Sequence, residues 1–359
     1  MKNILALGVD NKTSFSVMSD KGLYVSDPVG DLTDIKNYND FEKAISEQIS
    51  GSSFAPELVV CDMHPDYRSA RLADAIREKH GNSEIVRVQH HHAHITSCML
   101  DNDINEQVIG ISFDGTGYGT DGASWGGEFL ICTRKDFQRA YHLAYVSQPG
   151  ADKAAREGWR MAVSYLYHVF GKEGMGLYDP IFDRIGREKS DIIIQMIEKD
   201  INCPRTSSMG RLFDAVSSLA GICDESTFEA EAAILLEKKI KKGIRAFYEY
   251  DVSDNEIVIK RMIRGIMKDL LNGEDKGVIA AKFHNTIGEI IFKVSGMIFE
   301  DTGINKVLIS GGCFQNRYLV DYLEKRFESS ELELYKHKDF PATDLGISIG
   351  QAVVAAASR

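Results

Sequence analysis

The chain has 359 residues, of which 43% are hydrophobic and 26% charged, with only seven Pro, a composition that describes a folded globular protein and excludes a disordered one. That length corresponds to roughly two domains of about 150 residues, too much chain for a disulfide-stapled miniprotein. The 42 Lys and Arg residues against 53 Asp and Glu leave a net charge of −11, which repels phosphate backbones and anionic lipids and excludes unaided nucleic-acid binding from the expectation.

Three short strands open the chain, Ile4 to Val9, Thr13 to Met18 and Gly22 to Val25, with a polar turn at Asp10, Asn11 and Lys12. A helix from Tyr38 to Ile49, a strand from Leu58 to Cys61, a helix from Ser69 to Lys79 stopped by Gly81, and a strand from Ile85 to Val88 follow. A second meander then begins at Gln107 to Ser112, Ser124 to Cys132 and Ala140 to Tyr145. Helices are expected to dominate from Glu157 to Gly273, before a long helix from Val278 to Glu300. A strand at Val307 to Ile309, a helix from Asn316 to Phe327, a strand at Leu332 to Tyr335 and a helix from Leu345 to Ala357 end the chain.

Without the helical insertion, placed over 151–275, the second half repeats the first. Duplication of a β-β-β-α-β-α plan is the arrangement of the actin, sugar-kinase and Hsp70-type ATPase folds (ASKHA), an α/β class in which two related domains close on a nucleotide. The expected domains are 1–105 and 106–359, with a hinge near Asn102 to Asn105 and the final helix packing on the first domain. Topology of this kind implies nucleotide binding and no particular chemistry. The six cysteines are far apart with no CxxC pair, the pattern of reduced thiols. No signal-peptide h-region or membrane-length apolar run occurs, so a cytoplasmic protein without membrane contact is expected.

Val88-Gln89-His90-His91-His92-Ala93-His94 gathers four of the ten histidines just after a strand. If a helix starts there, His90 and His94 stand at i and i+4 on one face, where two imidazoles can share one metal ion. The bland alternative is a polar strand-to-helix turn. The HExxH general base of a zinc protease is missing, because His91 stands in its place. Phe113-Asp114-Gly115-Thr116-Gly117-Tyr118-Gly119 reads as a Gly-rich turn after a buried strand. Its backbone N–H groups would be open to a phosphate or acyl group, although a plain hairpin turn would look the same. Asp114, at a strand end, would complete a mixed nitrogen and oxygen metal site.

Ser310-Gly311-Gly312-Cys313-Phe314-Gln315-Asn316 places a double glycine between a strand and a helix, where a nucleotide can meet a helix N-terminus or where the chain merely turns tightly. Asp344 reads locally as a helix cap, and Asp214 and Glu229 as helix carboxylates of the kind usually solvated. No Walker GxxxxGK[ST] sequence occurs.

Taken together, VQHHHAH, FDGTGYGTDGASWGGE, GRLFDAV, FHN at Phe283 to Asn285, SGGCFQN and TDLGISIGQAV resemble, in order and spacing, the C-terminal carbamoyltransferase half of the hydrogenase-maturation HypF family. The resemblance runs from Ile4 to Ala357, and extends to antibiotic O-carbamoyltransferases and the tRNA threonylcarbamoyl transferase. It implies a divalent metal, iron or zinc, held by His90, His94, Asp114 and Asp344. It further implies the AMP moiety of carbamoyl-adenylate held by the Gly311-Gly312 turn, Asn316, the helix of Asp214, and Glu229. Glu229 stands in FEAEAA where family members often read YEGQAA. Asp114 and the backbone of Gly115 and Gly117 would assist the reacting acyl group.

Full-length HypF proteins precede this module with an acylphosphatase-like domain, zinc fingers and a YrdC-like domain that makes the adenylate, and none of these is in the sequence. The implied partners are therefore a YrdC-like activating protein and a HypE-like acceptor, whose C-terminal cysteine receives the carbamoyl group. An O-carbamoyltransferase acting on small molecules would use the same site. A non-catalytic nucleotide-binding scaffold would have no need of His90 and His94, and tRNA modification fits the −11 charge least.

Overall fold

The structure, a computed structural model, describes residues 2–51, 54–81, 83–174 and 179–358. In the first half, β1 (Ile4–Ala6), β2 (Ser16–Ser19) and β3 (Gly22–Val25) form the meander. They are followed by α1 (Ile35–Gly51), β4 (Leu58–Asp62), α2 (Arg68–His80), β5 (Glu84–Val88) and α3 (His90–Asp101). The sheet order is β3-β2-β1-β4-β5, antiparallel within the meander and parallel from β1 through β4 to β5.

The second half opens with β6 (Val108–Tyr118), β7 (Ser124–Cys132) and β8 (Phe137–Leu143). A long inserted region follows, with β9 (Val146–Ser147), α4 (Lys153–Arg156), α5 (Gly158–Gly174), α6 (Asp179–Ile185), α7 (Arg187–Glu198), β10 (Arg205–Thr206), α8 (Met209–Leu219) and α9 (Glu231–Lys238). Next come β11 (Asp251–Ser253), β12 (Glu256–Val258), α10 (Lys260–Leu271) and α11 (Lys276–Thr302). The chain closes through β13 (Lys306–Ser310), α12 (Arg317–Phe327), β14 (Glu333–Tyr335) and α13 (Ile347–Ala357). The order β8-β7-β6-β13-β14 copies the first sheet strand for strand, with the same parallel and antiparallel pairings. The duplicated ASKHA-type α/β fold expected from the order of elements is therefore present in the sheets themselves.

Helices dominate the inserted region as expected, but it also carries a short hairpin, and one strand ends later than expected. Asp254 and Asn255 adopt left-handed φ of 51° and 65°, closing a two-residue turn between β11 and β12. β12 then extends the second sheet by pairing parallel with β8. The strand expected to end at Ser112 instead runs on to Tyr118, with an irregularity between Phe113 and Gly117, so the turn falls at residues 119–123.

Each closing helix packs on the other half's sheet. Ile95, Cys98 and Met99 of α3 are buried against Val108, Leu130 and Leu308 of the second sheet. Ile347, Ala352 and Val353 of α13 are buried with Ile4, Ala6 and Val60 of the first. Gln351, fully buried, matches both polar groups of the Gly8 backbone: its Oε1 accepts from the Gly8 N–H at 2.8 Å, and its Nε2 donates to the Gly8 carbonyl at 3.0 Å. α3 is consequently clamped between the halves, and the residues at its N-terminus face the cleft.

Candidate metal centre and nucleotide cavity

The Gln89 side chain accepts the His92 N–H at 2.9 Å and starts α3 immediately after β5. One helical turn then places the Nε2 atoms of His90 and His94 at 3.3 and 3.1 Å from a single oxygen, Asp114 Oδ2. Asp344 Oδ1, from the tight turn that leads into α13, lies 3.7 and 3.5 Å from the same nitrogens. One ligand atom from each of the four residues falls within 4.8 Å of every other. A divalent ion with bonds of about 2.1 Å spaces tetrahedral ligands about 3.4 Å apart, so these four donors fit such an ion with little movement. Two imidazoles and two carboxylates suit a borderline divalent cation.

The surroundings orient these donors. His90 Nδ1 faces Asp62 Oδ2 at 3.1 Å, which turns Nε2 toward the centre. Asp114 Oδ1 accepts the N–H of Gly115 at 2.8 Å and of Gly312 at 3.3 Å, leaving Oδ2 for the histidines. Burial opposes charge on His90 and His94, but hydrogen bonds to Asp114 and the other carboxylates outweigh it and raise both above the ordinary histidine value. Burial likewise works against ionising Asp114, yet the hydrogen bonds from His90 and His94 hold its carboxyl well below the usual carboxylate range. In this state the cluster holds protons that a bound cation displaces.

Asp114 and Asp344 also line a cavity of about 260 Å³ between the two halves. Gly115, Asp214, Glu229, Gly312 and Asn316 lie on its wall, as do Lys12 and Arg211. Lys12 Nζ, from the first half, meets Glu229 Oε2 at 2.9 Å. Arg211 pairs through Nε with Asp214 Oδ2 at 2.8 Å and reaches the Gly115 carbonyl at 3.3 Å. Burial raises the Asp214 carboxyl above its ordinary value despite the Arg211 guanidinium beside it.

The model of the HypF Kae1-like domain matches residues 1–101, and that of the second subdomain of the carbamoyltransferase Kae1-like domain matches residues 110–351. The chain belongs to the HypF carbamoyltransferase family. It is 32% identical to carbamoyltransferase HypF of Synechocystis sp., a match over 100% of this chain and 48% of that protein. It is also 32% identical to a carbamoyltransferase HypF homolog of Cupriavidus necator, over 98% of this chain and 91% of that one. The crystal structure of full-length HypF in its phosphate- and nucleotide-bound form superposes with a TM-score of 0.92 at 38% identity, covering 99% of this chain and 55% of that chain. Apart from the C. necator homolog, the chain spans about half the length of the HypF proteins it matches.

Within this HypF-type module, His90, His94, Asp114 and Asp344 converge, and Gly115, Asp214, Glu229, Gly312 and Asn316 share the cavity. Two expected residues stand elsewhere. Gly117 lies in the β6–β7 ladder opposite Trp125 and outside the cavity wall, and a Cβ there would stand 2.7 Å from His90 Cδ2. Its place explains why the histidine helix can approach β6 so closely. Gly311, with φ 102°, donates its N–H to the Ala342 carbonyl and turns the chain beside Phe113 without lining the cavity. Glu229 sits on the turn before α9 and not on a helix. Asn316 reaches the cavity wall while its side chain caps α12, accepting the Leu319 N–H at 2.9 Å, and bonds His284 Nε2 at 2.9 Å.

Asp62, Lys12 and Arg211 escaped the sequence reading. Asp62 ends the apolar run Leu58 to Cys61, and a carboxylate at the end of a buried strand is a usable signal. Lys12 sits in the first polar turn, where a lone cation carries no pattern. Among the described residues no helix is long and apolar enough to cross a membrane, and all six cysteines are free.

Proposed function

We propose that this chain transfers a carbamoyl group from carbamoyl-adenylate to the C-terminal cysteine thiolate of a HypE-like acceptor, with the adenylate supplied by a YrdC-like domain or protein. The observation that carries this reading is Asp114. One of its oxygens faces both His90 and His94, and the residue also lines the cavity that contains Gly312 and Asp214. A divalent ion at His90, His94, Asp114 and Asp344 would therefore lie beside whatever fills that cavity.

When bound there, the ion supplies Lewis-acid chemistry, neutralising phosphate charge and polarising the acyl oxygen. The other roles belong to the chain. Lys12 and Arg211 are the Lys and Arg side chains of a cavity wall that also carries Asp114, Asp214, Glu229, Glu237 and Asp344. They offset the charge of an adenylate phosphate that this acidic wall would otherwise repel. Gly115 and Gly312 hold Asp114 in position through their N–H groups. The Asp214 helix and the Gly312 turn border the space for adenosine. Attack by the acceptor thiolate on the carbamoyl carbon forms the C–S bond and breaks the C–O bond to AMP. No nucleophile from this chain is needed, and the Cys313 thiol at the cavity wall, pushed well above its ordinary value by burial, is unsuited to serve as one.

The test is mass spectrometry of a HypE-like acceptor incubated with this chain and a YrdC-like protein, carbamoyl phosphate and ATP. A carbamoyl mass increment on the acceptor's C-terminal cysteine, lost in His94→Ala, is expected. Carbamoylation of hydroxyl compounds with none on the thiol acceptor would transfer the assignment to small-molecule O-carbamoylation.

A further inference from the structure

Ser310 precedes the double glycine that was expected to border the nucleotide, yet its fully buried side chain does not line the cavity. It faces the opposite way. Ser310 Oγ lies 3.4 Å from His94 Nδ1 and 2.8 Å from His337 Nε2. His337 Nδ1 in turn faces Asp101 Oδ2 at 3.5 Å, a polar contact and not a formed hydrogen bond, with both side chains almost fully buried. Asp101 is the last residue of α3, the helix that carries His90 and His94. Its carboxylate also accepts the backbone N–H groups of Lys338 at 2.6 Å and Phe340 at 3.2 Å, on the segment that runs to Asp344.

We propose that Asp101, His337 and Ser310 are positioning residues that form a one-way polar relay, fixing His94 with its Nε2 toward the metal centre and setting how tightly that centre holds its ion. The inference rests on the metal reading of the site.

The direction of the relay follows from the donors available. The Asp101 carboxylate facing His337 Nδ1 calls for a proton on that nitrogen, which leaves Nε2 as an acceptor. Burial pushes His337 down to about 4, so it is neutral near pH 7 and can fill both roles. The Ser310 hydroxyl then donates to His337 Nε2 and accepts from His94 Nδ1–H. With Nδ1 protonated, the lone pair of His94 is at Nε2, the atom 3.1 Å from Asp114 Oδ2. His90 reaches the same outcome by a shorter route, its Nδ1 facing Asp62 directly. The two histidines are thus held by different means. Because Asp101 also grips residues 338–340, the relay ties the helix of His94 to the loop of Asp344.

The experiment is a cobalt(II) titration of the full chain, read by visible ligand-field absorption, with thermal unfolding of the metal-free proteins as the folding control. Ser310→Ala is expected to weaken cobalt binding about 10- to 100-fold and to change the ligand-field spectrum. His337→Phe cuts the relay at a second point and should give the same loss. The double variant should be no worse than either single one, since both break one path. His337→Gln, whose amide can still accept from the Ser310 hydroxyl, should keep affinity close to wild type. A folded Ser310→Ala or His337→Phe variant with wild-type affinity and spectrum would overturn the relay while leaving the centre standing. Failure of the wild-type chain to bind cobalt would overturn the metal reading, and the relay with it.

Discussion

Gly350 of α13 lies against the carbonyl of Ala93 in α3, so closely that a Cβ at position 350 would stand 1.8 Å from that oxygen. This contact presses together the two helices that cross between the halves. It also lies one residue from His94 on α3 and six from Asp344 on the α13 side. Gly350→Ala must separate the helices, and backbone cannot yield as a side chain can. A loss on the order of 3 kcal/mol in urea unfolding is expected, together with weaker cobalt binding. An unchanged unfolding midpoint would show that the helices part freely.

Gly312 links the metal centre to the cavity. A Cβ there would stand 3.0 Å from Asp114 Oδ1, the oxygen that the Gly312 N–H now holds. Gly312→Val should therefore displace Asp114 and lower the metal content after reconstitution, measured by elemental analysis. Its nucleotide affinity, measured by calorimetry, should fall too, with Gly312→Ala intermediate in both. Full metal content in the valine variant would refute the link.

Glu128 is fully buried in β7. It accepts hydrogen bonds from Arg139 Nε and Ser207 Oγ at 2.6 Å each, and from the N–H groups of Gly126 at 3.0 Å and Gly127 at 3.1 Å. Arg139 also covers the Trp125 ring, 3.8 Å from its centroid. Arg139→Met would leave the carboxylate buried without its cation, at a cost of about 3 to 5 kcal/mol in unfolding free energy. Denaturant titration of the variant checks this, and a cost below about 1 kcal/mol would mean that water or another donor replaces the guanidinium.

His284 provides a pH test away from the metal ligands. Burial pushes it down to about 4, although its Nδ1 bonds the Ala280 carbonyl at 2.7 Å. The unfolded chain, with an ordinary value of 6.5, takes up this proton first. The contribution of His284 to stability is therefore complete above pH 6.5, falls as pH drops toward about 4, and levels off below that. The full swing is roughly 3 kcal/mol. The wild type should lose more stability than His284→Gln between pH 7 and pH 4, measured by urea unfolding at each pH. Parallel stability curves would show that burial does not lower the proton affinity of His284 in the folded protein.

Three of the candidate ligands were legible because their residue types and local positions are unusual: four histidines within five positions and Asp114 at the end of a buried strand already suggest a donor set. Asp344 reads locally as a helix cap, and only the family resemblance singled it out as a ligand. The cavity residues were legible less directly. Asp214 and Glu229 have no local pattern that separates them from surface carboxylates, and only the family resemblance singled them out. Gly117 and Gly311 stand out in the sequence, but the local pattern does not report that each makes room for a neighbouring chain segment.

The sequence by itself determined the order of elements, their duplication and the i, i+4 pairing of His90 with His94, because strand alternation and helical periodicity are local properties of the chain. Only the tertiary structure decided which carboxylates meet those histidines. Asp62 arrives from a neighbouring parallel strand, Asp114 from the other half's sheet, and Asp344 from a turn 250 residues after His94. Such meetings are set by sheet register and by the crossed packing of α3 and α13. The same holds for Ser310. Beside two glycines it suggests a phosphate turn, and only the backbone's direction at the end of β13 shows its hydroxyl facing His94 and His337. Local pattern reports which side chains can act, whereas burial and long-range packing choose what they act on, because both depend on chain segments that sequence proximity does not connect.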